Sequence, residues 1–331
     1  MTQDITVVIL THNEAKHITR AIASVRTIAA RVLVVDSGST DDTVALAQAA
    51  GAEVRHHPWT NYARQFQWAL DHGDVATGWT MRLDADEVIE PDLAAEIAAE
   101  LPALPADVTG VNFARKHIWM GRWVRHGGRY PLMLLRLWRT GRGRIEDRWM
   151  DEHIVVDGGR TVAFAGGFAD WNLNDLTFFT AKHNSYATRE AIDVLGRKYG
   201  LLAQDEALSA RSASRQAGAK RWFKERVYNR LPLWVGPLGY FVWRAVFQLG
   251  VLDGRTGMTY HVLQGFWYRY LVNAKVFEFE RAMADCATAE ERRARLSELT
   301  GYDLSVMPDS SRHPEPQATP LAALDPGTSL S

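Results

Sequence analysis

An α/β fold built on a parallel sheet is predicted for this chain, on two features of its first hundred residues. Short apolar, β-rich runs alternate with stretches of helical spacing, and three of those runs end in clusters of Asp, Asn, Ser and Thr. That alternation belongs to parallel strands joined by right-handed crossover helices, with ligands held at the C-terminal strand ends. Ile5–Leu10 gives the first strand, and Glu14–Val25 a helix through Ile18, Ile22 and Val25. Val32–Val35 is the next strand, followed by a turn-rich Asp36–Asp42 and a helix over Thr43–Ala50. Trp79–Leu83 supplies another strand, and Pro91-Asp92 opens an Ala-rich helix to about Leu101, proline being tolerated in a first helical turn.

Beyond residue 110 the chain becomes rich in Trp, Gly and Arg, with β-like segments at Val111–Phe113, Met133–Trp138, Ile154–Val156 and Thr161–Phe164. Helical spacing returns over Leu176–Arg197. Trp222–Glu280 is aromatic-rich and mostly helical, with breaks at Pro232, Pro237 and a Leu252–Gly257 turn, and Ala287–Leu299 is a charged helix. These shifts divide the chain into residues 1–110, a ligand-binding half domain, 111–200, its second half, 201–300, a helical region, and 301–331, a Pro/Ser/Ala-rich tail expected to be disordered.

Composition narrows the function. The 331 residues suffice for about two domains. Lys+Arg 38 against Asp+Glu 39 gives a net charge of −1, which argues against a nucleic-acid binder. The single cysteine, Cys286, leaves no intramolecular disulfide framework, so a reducing cytosol is expected. No signal peptide or apolar stretch long enough to span a membrane is read.

Three strand ends carry the chemistry: Thr11-His12-Asn13-Glu14, Asp36-Ser37-Gly38-Ser39-Thr40-Asp41-Asp42, and Asp84-Ala85-Asp86-Glu87. In parallel strands they converge on one crevice. Asp84 and Asp86, two residues apart, can aim at one hard cation such as Mg²⁺ or Mn²⁺, with phosphate and water completing its shell. Taken singly, each cluster is as well explained by a solvated turn or a helix cap. Their joint order after three strands favours function.

These residues resemble the family 2 glycosyltransferases, inverting enzymes of the GT-A fold, over the N-terminal third of the chain. The resemblance implies a GT-A type, Rossmann-like mixed sheet flanked by helices. It places Thr11, Asn13, Glu14, Asp36, Ser37, Gly38, Asp84 and Ala85 around a nucleotide-sugar donor, and gives Asp86, with Asp84, the Mg²⁺ or Mn²⁺ that bridges the diphosphate. Gln65-Phe66-Gln67-Trp68-Ala69-Leu70 looks like the family's helix near the base, which adds Gln65; the family's Arg and Asn are Phe66 and Gln67 here. Inversion also needs a general base beyond the metal motif. Trp149-Met150-Asp151-Glu152-His153 is the best-placed acidic pair, with Asp151 first and Glu152 second.

Two basic segments complete the expectation. Arg115–Arg148 gathers ten Arg and Lys residues against Glu146 and Asp147, either as a solvated face or to meet a diphosphate or an anionic acceptor. Arg211–Arg230 is basic and runs into the aromatic, apolar Leu231–Trp243, the pattern of an interfacial helix on an anionic bilayer. Asp170-Trp171-Asn172-Leu173, Lys182–Ala187 and Gly250–Gly254 resemble the lipopolysaccharide-core and envelope-glycan branch of the family. That implies a hexose, most simply UDP-linked, transferred to a glycan or glycolipid acceptor by a protein peripheral on the cytoplasmic membrane face. A nucleotidyltransferase would need a Gly-rich, basic phosphate loop after the first strand, which Thr11–Glu14 is not. A non-catalytic sugar-nucleotide-binding scaffold is the other alternative.

Overall fold

The structure is a computed structural model that describes residues 2–146, 153–201 and 232–304. Strands β1 (Gln3–Thr11), β2 (Ala29–Asp36), β3 (Glu53–His56) and β4 (Trp79–Arg82) alternate with helices α1 (Ile18–Val25), α2 (Thr43–Ala49) and α3 (Tyr62–His72). β5 (Glu87–Ile89) and α4 (Pro91–Glu100) follow, then β6 (Val108–Trp119), β7 (Arg122–Val124), β8 (Leu132–Arg139), β9 (Gly143–Ile145), β10 (Ile154–Val156) and β11 (Arg160–Asp170).

One sheet runs in the order β3-β2-β1-β4-β8-β6-β11-β5, with β7 hung on β6, and β9–β10 forms a separate hairpin. β1 is parallel to β2 and β4, and β2 to β3; β8 is antiparallel to both β4 and β6. β6 and β11 are parallel, so they point the same way as β1. The sheet is therefore mixed and continuous across residue 110. Its C-terminal edge collects the ends of β1, β2, β4, β6 and β11.

Alternation along β1 sets the two layers. Val7 and Ile9 face α1 and α4 with Ile18, Ile22, Leu93 and Ile97, while Val8 faces α3 with Phe66 and Trp138. Four strands escaped the sequence reading, β3, β5, β7 and β9, because each is only three or four residues long. β6 and β11 are twelve and eleven residues long rather than the short segments expected. Polar residues interrupt their apolar pattern: Asn112, Arg115 and His117 on β6, and Gly166-Gly167 on β11. At Gly166 a Cβ would lie 2.5 Å from the Leu93 Cα, so only glycine admits α4 at this approach. The first helix begins at Ile18, later than expected, because Asn13 takes a left-handed turn (φ 55°) that delays it.

The long helix α5 (Leu176–Tyr199) is capped by Asp175, which accepts the Phe178 N–H at 2.8 Å, and is closed by left-handed Gly200. Helices follow at α6 (Val235–Val242), α7 (Gly254–Tyr260), α8 (Tyr268–Ala282) and α9 (Ala289–Thr300), the last opened by a Thr288/Glu291 capping box. Wide π-helical turns at Trp243–Phe247 and His261–Trp267 extend α6 and join α7 to α8. Leu252–Gly257, expected as a turn, is instead a 3₁₀ turn passing into α7. The cause is Asp253, buried, which accepts from the backbone N–H groups of Arg125 and His126, from His126 Nδ1 at 2.7 Å and from His261 Nε2 at 3.0 Å. Buried Arg244 donates to the Gly127 carbonyl and to Gln264. Together they clamp the 125–131 loop onto the C-terminal helices. The basic segment 211–230 and the tail from 305 lie outside the described residues.

Burial pushes the Asp253 carboxyl up, but hydrogen bonds from His126, His261 and the backbone outweigh it and hold it below its ordinary range. Its stabilisation is therefore present above about pH 4 and is lost as pH falls through the folded value. Asp253→Asn should cost about 2 kcal/mol at pH 7 in urea unfolding, the scale of hydrogen bonds lost from a charged acceptor. The gap to wild type should narrow below about pH 4.

Candidate active site

The loops after β1 and β2 are sewn together. Asp36, buried, accepts from Gly38 N at 2.8 Å, Ser39 N at 3.0 Å and Ser39 Oγ at 2.5 Å. Asn13 N donates to Ser39 Oγ at 2.9 Å, and Thr40 N to Asn13 Oδ1 at 2.8 Å. Glu14 N donates to Thr43 Oγ1 at 2.7 Å, and Ser37 N to the Thr11 carbonyl at 3.1 Å. Gly38 sits at φ 100°, a conformation that lets the backbone fold back over Asp36. Thr11, Asn13, Glu14, Asp36, Ser37 and Gly38 thus form one loop pair at the crevice rim, with the Thr11 hydroxyl buried and without a protein partner. Gln65 is different. It is fully buried, and its amide is spent on His57, accepting from Nδ1 at 2.7 Å and donating to the carbonyl at 2.9 Å. It positions the His57 loop and offers no atom to a ligand.

The third strand end is an acidic floor on two arginines. Asp84 accepts from Tyr62 Oη at 2.5 Å, Arg82 Nε at 3.3 Å and Arg136 Nη2 at 3.3 Å. The same Arg136 Nη2 donates to Glu87 Oε1 at 2.5 Å, and the Asp84 N–H to Glu87 Oε2 at 3.0 Å. Burial works against the Asp84 anion, but Arg82, Arg136 and Tyr62 hold its carboxyl well below the usual range. Burial pushes Glu87 up to about 8 against the pull of Arg136, with the Asp84 charge adding to the rise. Ala85 is buried between them, so only its backbone can face a ligand.

Asp86 stands apart. Asn172 Nδ2 donates to it at 3.0 Å, and it makes no ion pair among the described residues. Burial, then the charge of Asp170, raises its pKa, with Lys182 opposing. Asp170, at the end of β11, pairs in register with Glu87 across β5 and with His117 across β6. It receives His117 Nδ1 at 3.2 Å and faces Arg115 Nη1 at 3.6 Å. Burial opposes ionisation of Asp170, yet His117, Arg115 and Arg129 hold its pKa well below the ordinary value.

Several of these residues were not singled out from the sequence. His17 is buried and bridges Glu14 Oε2 at 2.5 Å to the Leu173 N–H at 2.9 Å, tying the first strand end to the Asp170 loop. Arg20 does the same through the Trp171 carbonyl. Tyr62, Arg82, Asn172 and Lys182 also belong here. A signal existed for Asp170 and Asn172 in the Asp-Trp-Asn-Leu segment, but β11 had been read as ending at Phe164, too early to bring them to the crevice.

A divalent cation fits this donor set in part. No group of three His, Cys, Asp or Glu residues able to hold a metal occurs among the described residues. Asp84 is committed to arginines, so the protein would supply chiefly Asp86, whose buried charge beside Asp170 a cation relieves. Few protein ligands plus phosphate and water is the ordinary pattern for Mg²⁺. Asp151 and Glu152 lie outside the described residues. The hairpin stem that brackets them is described, Ile145 pairing with Ile154 and Glu146 N donating to the His153 carbonyl at 2.9 Å.

Comparison with known proteins decides the family. Residues 6–165 match the family described as glycosyl transferase family 2. The lipopolysaccharide core biosynthesis glycosyltransferase LpsC of Rhizobium meliloti is 32% identical over 185 residues, 54% of this chain and 67% of that protein. The chain belongs to the family 2 glycosyltransferases. An uncharacterised glycosyltransferase of Rickettsia conorii, RC0292, is 42% identical over 97 residues, 29% of this chain; the matched part spans about a third (34%) of that relative's length. Among solved structures, glucosyl-3-phosphoglycerate synthase of Mycobacterium tuberculosis, in complex with Mg²⁺ and UDP, is 25% identical over 35% of this chain and 44% of that one, with a TM-score of 0.28. The mixed sheet flanked by helices is the GT-A architecture of the family.

In this family 2 glycosyltransferase, Asp86→Asn should raise the melting temperature without metal, because it removes a buried like charge facing Asp170. Wild type should gain about 2.7 kcal/mol at a hundredfold excess of Mn²⁺ over its Kd. The variant should gain almost nothing in the same melts.

Proposed function

We propose that the chain is a metal-dependent, inverting hexosyltransferase. Its donor is a nucleotide-diphosphate sugar, UDP-linked, and its acceptor a lipid-linked or lipopolysaccharide-type glycan. The observation that carries this reading is the division of labour at the strand ends, where Asp84 is neutralised by Arg82 and Arg136 while Asp86 is left for a cation. The name of the Rhizobium relative supports the acceptor class.

The nucleotide lies over the loops of β1 and β2, where Asp36 and the Thr11 hydroxyl face it. A Mg²⁺ or Mn²⁺ on Asp86, when bound, supplies neutralisation of the departing diphosphate. Asp151, or Glu152 beside it, takes the acceptor hydroxyl proton as the anomeric carbon is attacked from the opposite side. Asp170 is a poor candidate for that role, since His117, Arg115 and Arg129 stabilise its anion and weaken it as a base. An α-linked donor then gives a β-linked product.

The acceptor class suits a protein lying on the cytoplasmic face of a membrane. Trp243, Val246, Phe247, Leu249 and Leu252 are all more than half exposed, Phe247 at 68%, along the turn that ends the α6 segment. No single described helix is long and apolar enough to cross a membrane. Val235–Phe247 and Gly250–Ala282 pass that test only together, bent by 73°. A bent apolar pair with exposed aromatics suits insertion at the interface, where Trp and Phe bury into the acyl boundary.

Asp86→Ala should lower metal-dependent release of UDP from UDP-hexoses at least about a hundredfold. Asp151→Asn should bind UDP normally and lose transfer; an unchanged rate would move the base to Glu152. Phe247→Asp with Trp243→Asp should weaken sedimentation with anionic phospholipid vesicles at least about tenfold, the loss expected for one to two buried aromatics. Unchanged sedimentation would contradict docking through this turn.

A further inference from the structure

The ten basic residues of 115–148 are not equivalent in the fold, and their positions sort them. Arg136 is buried beneath the crevice and shared by Asp84 and Glu87. Arg139 donates to the carbonyls of Val108, Leu104 and Pro105. Lys116 points to the opposite face of β6 from Arg115 and pairs with Glu90. Arg122, Arg125, Arg142 and Arg144 are exposed, and Arg148 lies outside the described residues.

Two remain, Arg115 and Arg129, and both face Asp170. Strand alternation puts Arg115 and His117 on one side of β6, and parallel register with β11 sets His117 beside Asp170. Arg129 comes from the clamped 125–131 loop, its guanidinium 5.4 Å above the Tyr260 ring. Two guanidiniums thus face one carboxylate. The donors are also not used up. Arg129 Nε is buried without a hydrogen-bond partner, and the Arg115–Asp170 approach of 3.6 Å is too long for a hydrogen bond. Guanidinium donors left open, at Arg129 Nε and on Arg115, are what an incoming anion satisfies.

Place decides whose anion it is. The nucleotide loops follow β1 and β2, whereas Arg115, His117 and Asp170 end β6 and β11, beyond β4 and β8 in the sheet. We infer that Arg115 and Arg129 form an anion subsite on the acceptor side that takes a phosphate group carried by the acceptor sugar. The assignment to the acceptor rests on the transferase reading above; the anion subsite itself does not.

The test uses the full chain held with saturating UDP and Mn²⁺, so that the donor site is filled, and titrates inorganic phosphate by calorimetry. Arg115→Gln/Arg129→Gln should weaken phosphate binding at least about tenfold, the effect of removing charge-assisted hydrogen bonds. Its UDP affinity should stay within about twofold of wild type, as expected of residues outside the donor site. Arg115→Lys/Arg129→Lys should recover part of the phosphate affinity, which a variant that merely misfolds would not. Unchanged phosphate binding in the glutamine variant, or no phosphate binding by wild type, would overturn the subsite. UDP affinity falling in step with phosphate affinity would assign the arginines to the donor diphosphate and overturn the acceptor assignment. If wild type binds phosphate but not UDP, the transferase reading fails while the subsite stands.

Discussion

Everything at the crevice depends on one buried guanidinium. Arg136 Nη2 reaches both Glu87 Oε1 and Asp84 Oδ2, and with Arg82 it supports two of the four acidic positions, 84, 86, 87 and 170, that gather at the end of one sheet. Without it Asp84 would lose one of the charges that hold it ionised, and Glu87, already pushed up to about 8, would rise further. Pairing is not uniform, and that is its use. Asp84 receives a phenol and two arginines, whereas Asp86 receives one amide, with the charge of Lys182 opposing that of Asp170. In the proposed reading, Asp86, which makes no ion pair among the described residues, is the acid left for a cation.

The sheet turns this electrostatic arrangement into a geometry. β1 and β2 present backbone and Asp36 on one side of the acidic floor, and β6 and β11 present His117, Arg115 and Asp170 on the other. The antiparallel β8 between β4 and β6 carries Arg136 inward from the middle of the sheet, which a strictly parallel order would not have done. His17 and Arg20 then lace the two sides together from α1 and the turn before it. The C-terminal helices add the clamp of Asp253, Arg244 and His261 on the loop that holds Arg129. The helical region with exposed aromatics and the loop that carries Arg129 are therefore one packed unit.

Much of this was legible in the sequence. The strand–helix alternation, the three strand-end clusters and the α5 span follow from periodicity and from side chains that cap and turn, which are local signals. The roles of Gln65, His17 and Arg136 were not legible, for a common reason. Gln65 sits in a family-like helix but folds its amide onto His57, eight residues earlier in the chain. His17 meets Leu173 across the molecule, and Arg136 is one of ten basic residues whose fates diverge only through register. Sequence spacing shows which groups are near along the chain; which of them is already satisfied is settled by packing. The true length of β11 was hidden by its Gly-Gly pair, so Asp170 became visible as a site residue only once that strand was seen to run to the crevice.

The central claim is that Asp86 holds the divalent cation between nucleotide and acceptor while Asp84 does not need to. Anomalous scattering from crystals grown with Mn²⁺ and UDP tests it most directly. The account predicts one strong peak within coordination distance of the Asp86 carboxylate, between the diphosphate and the Asp170 side of the crevice, with Arg82 and Arg136 still on Asp84. UDP bound with no peak at Asp86, or with the ion on an Asp84 freed from its arginines, would contradict it.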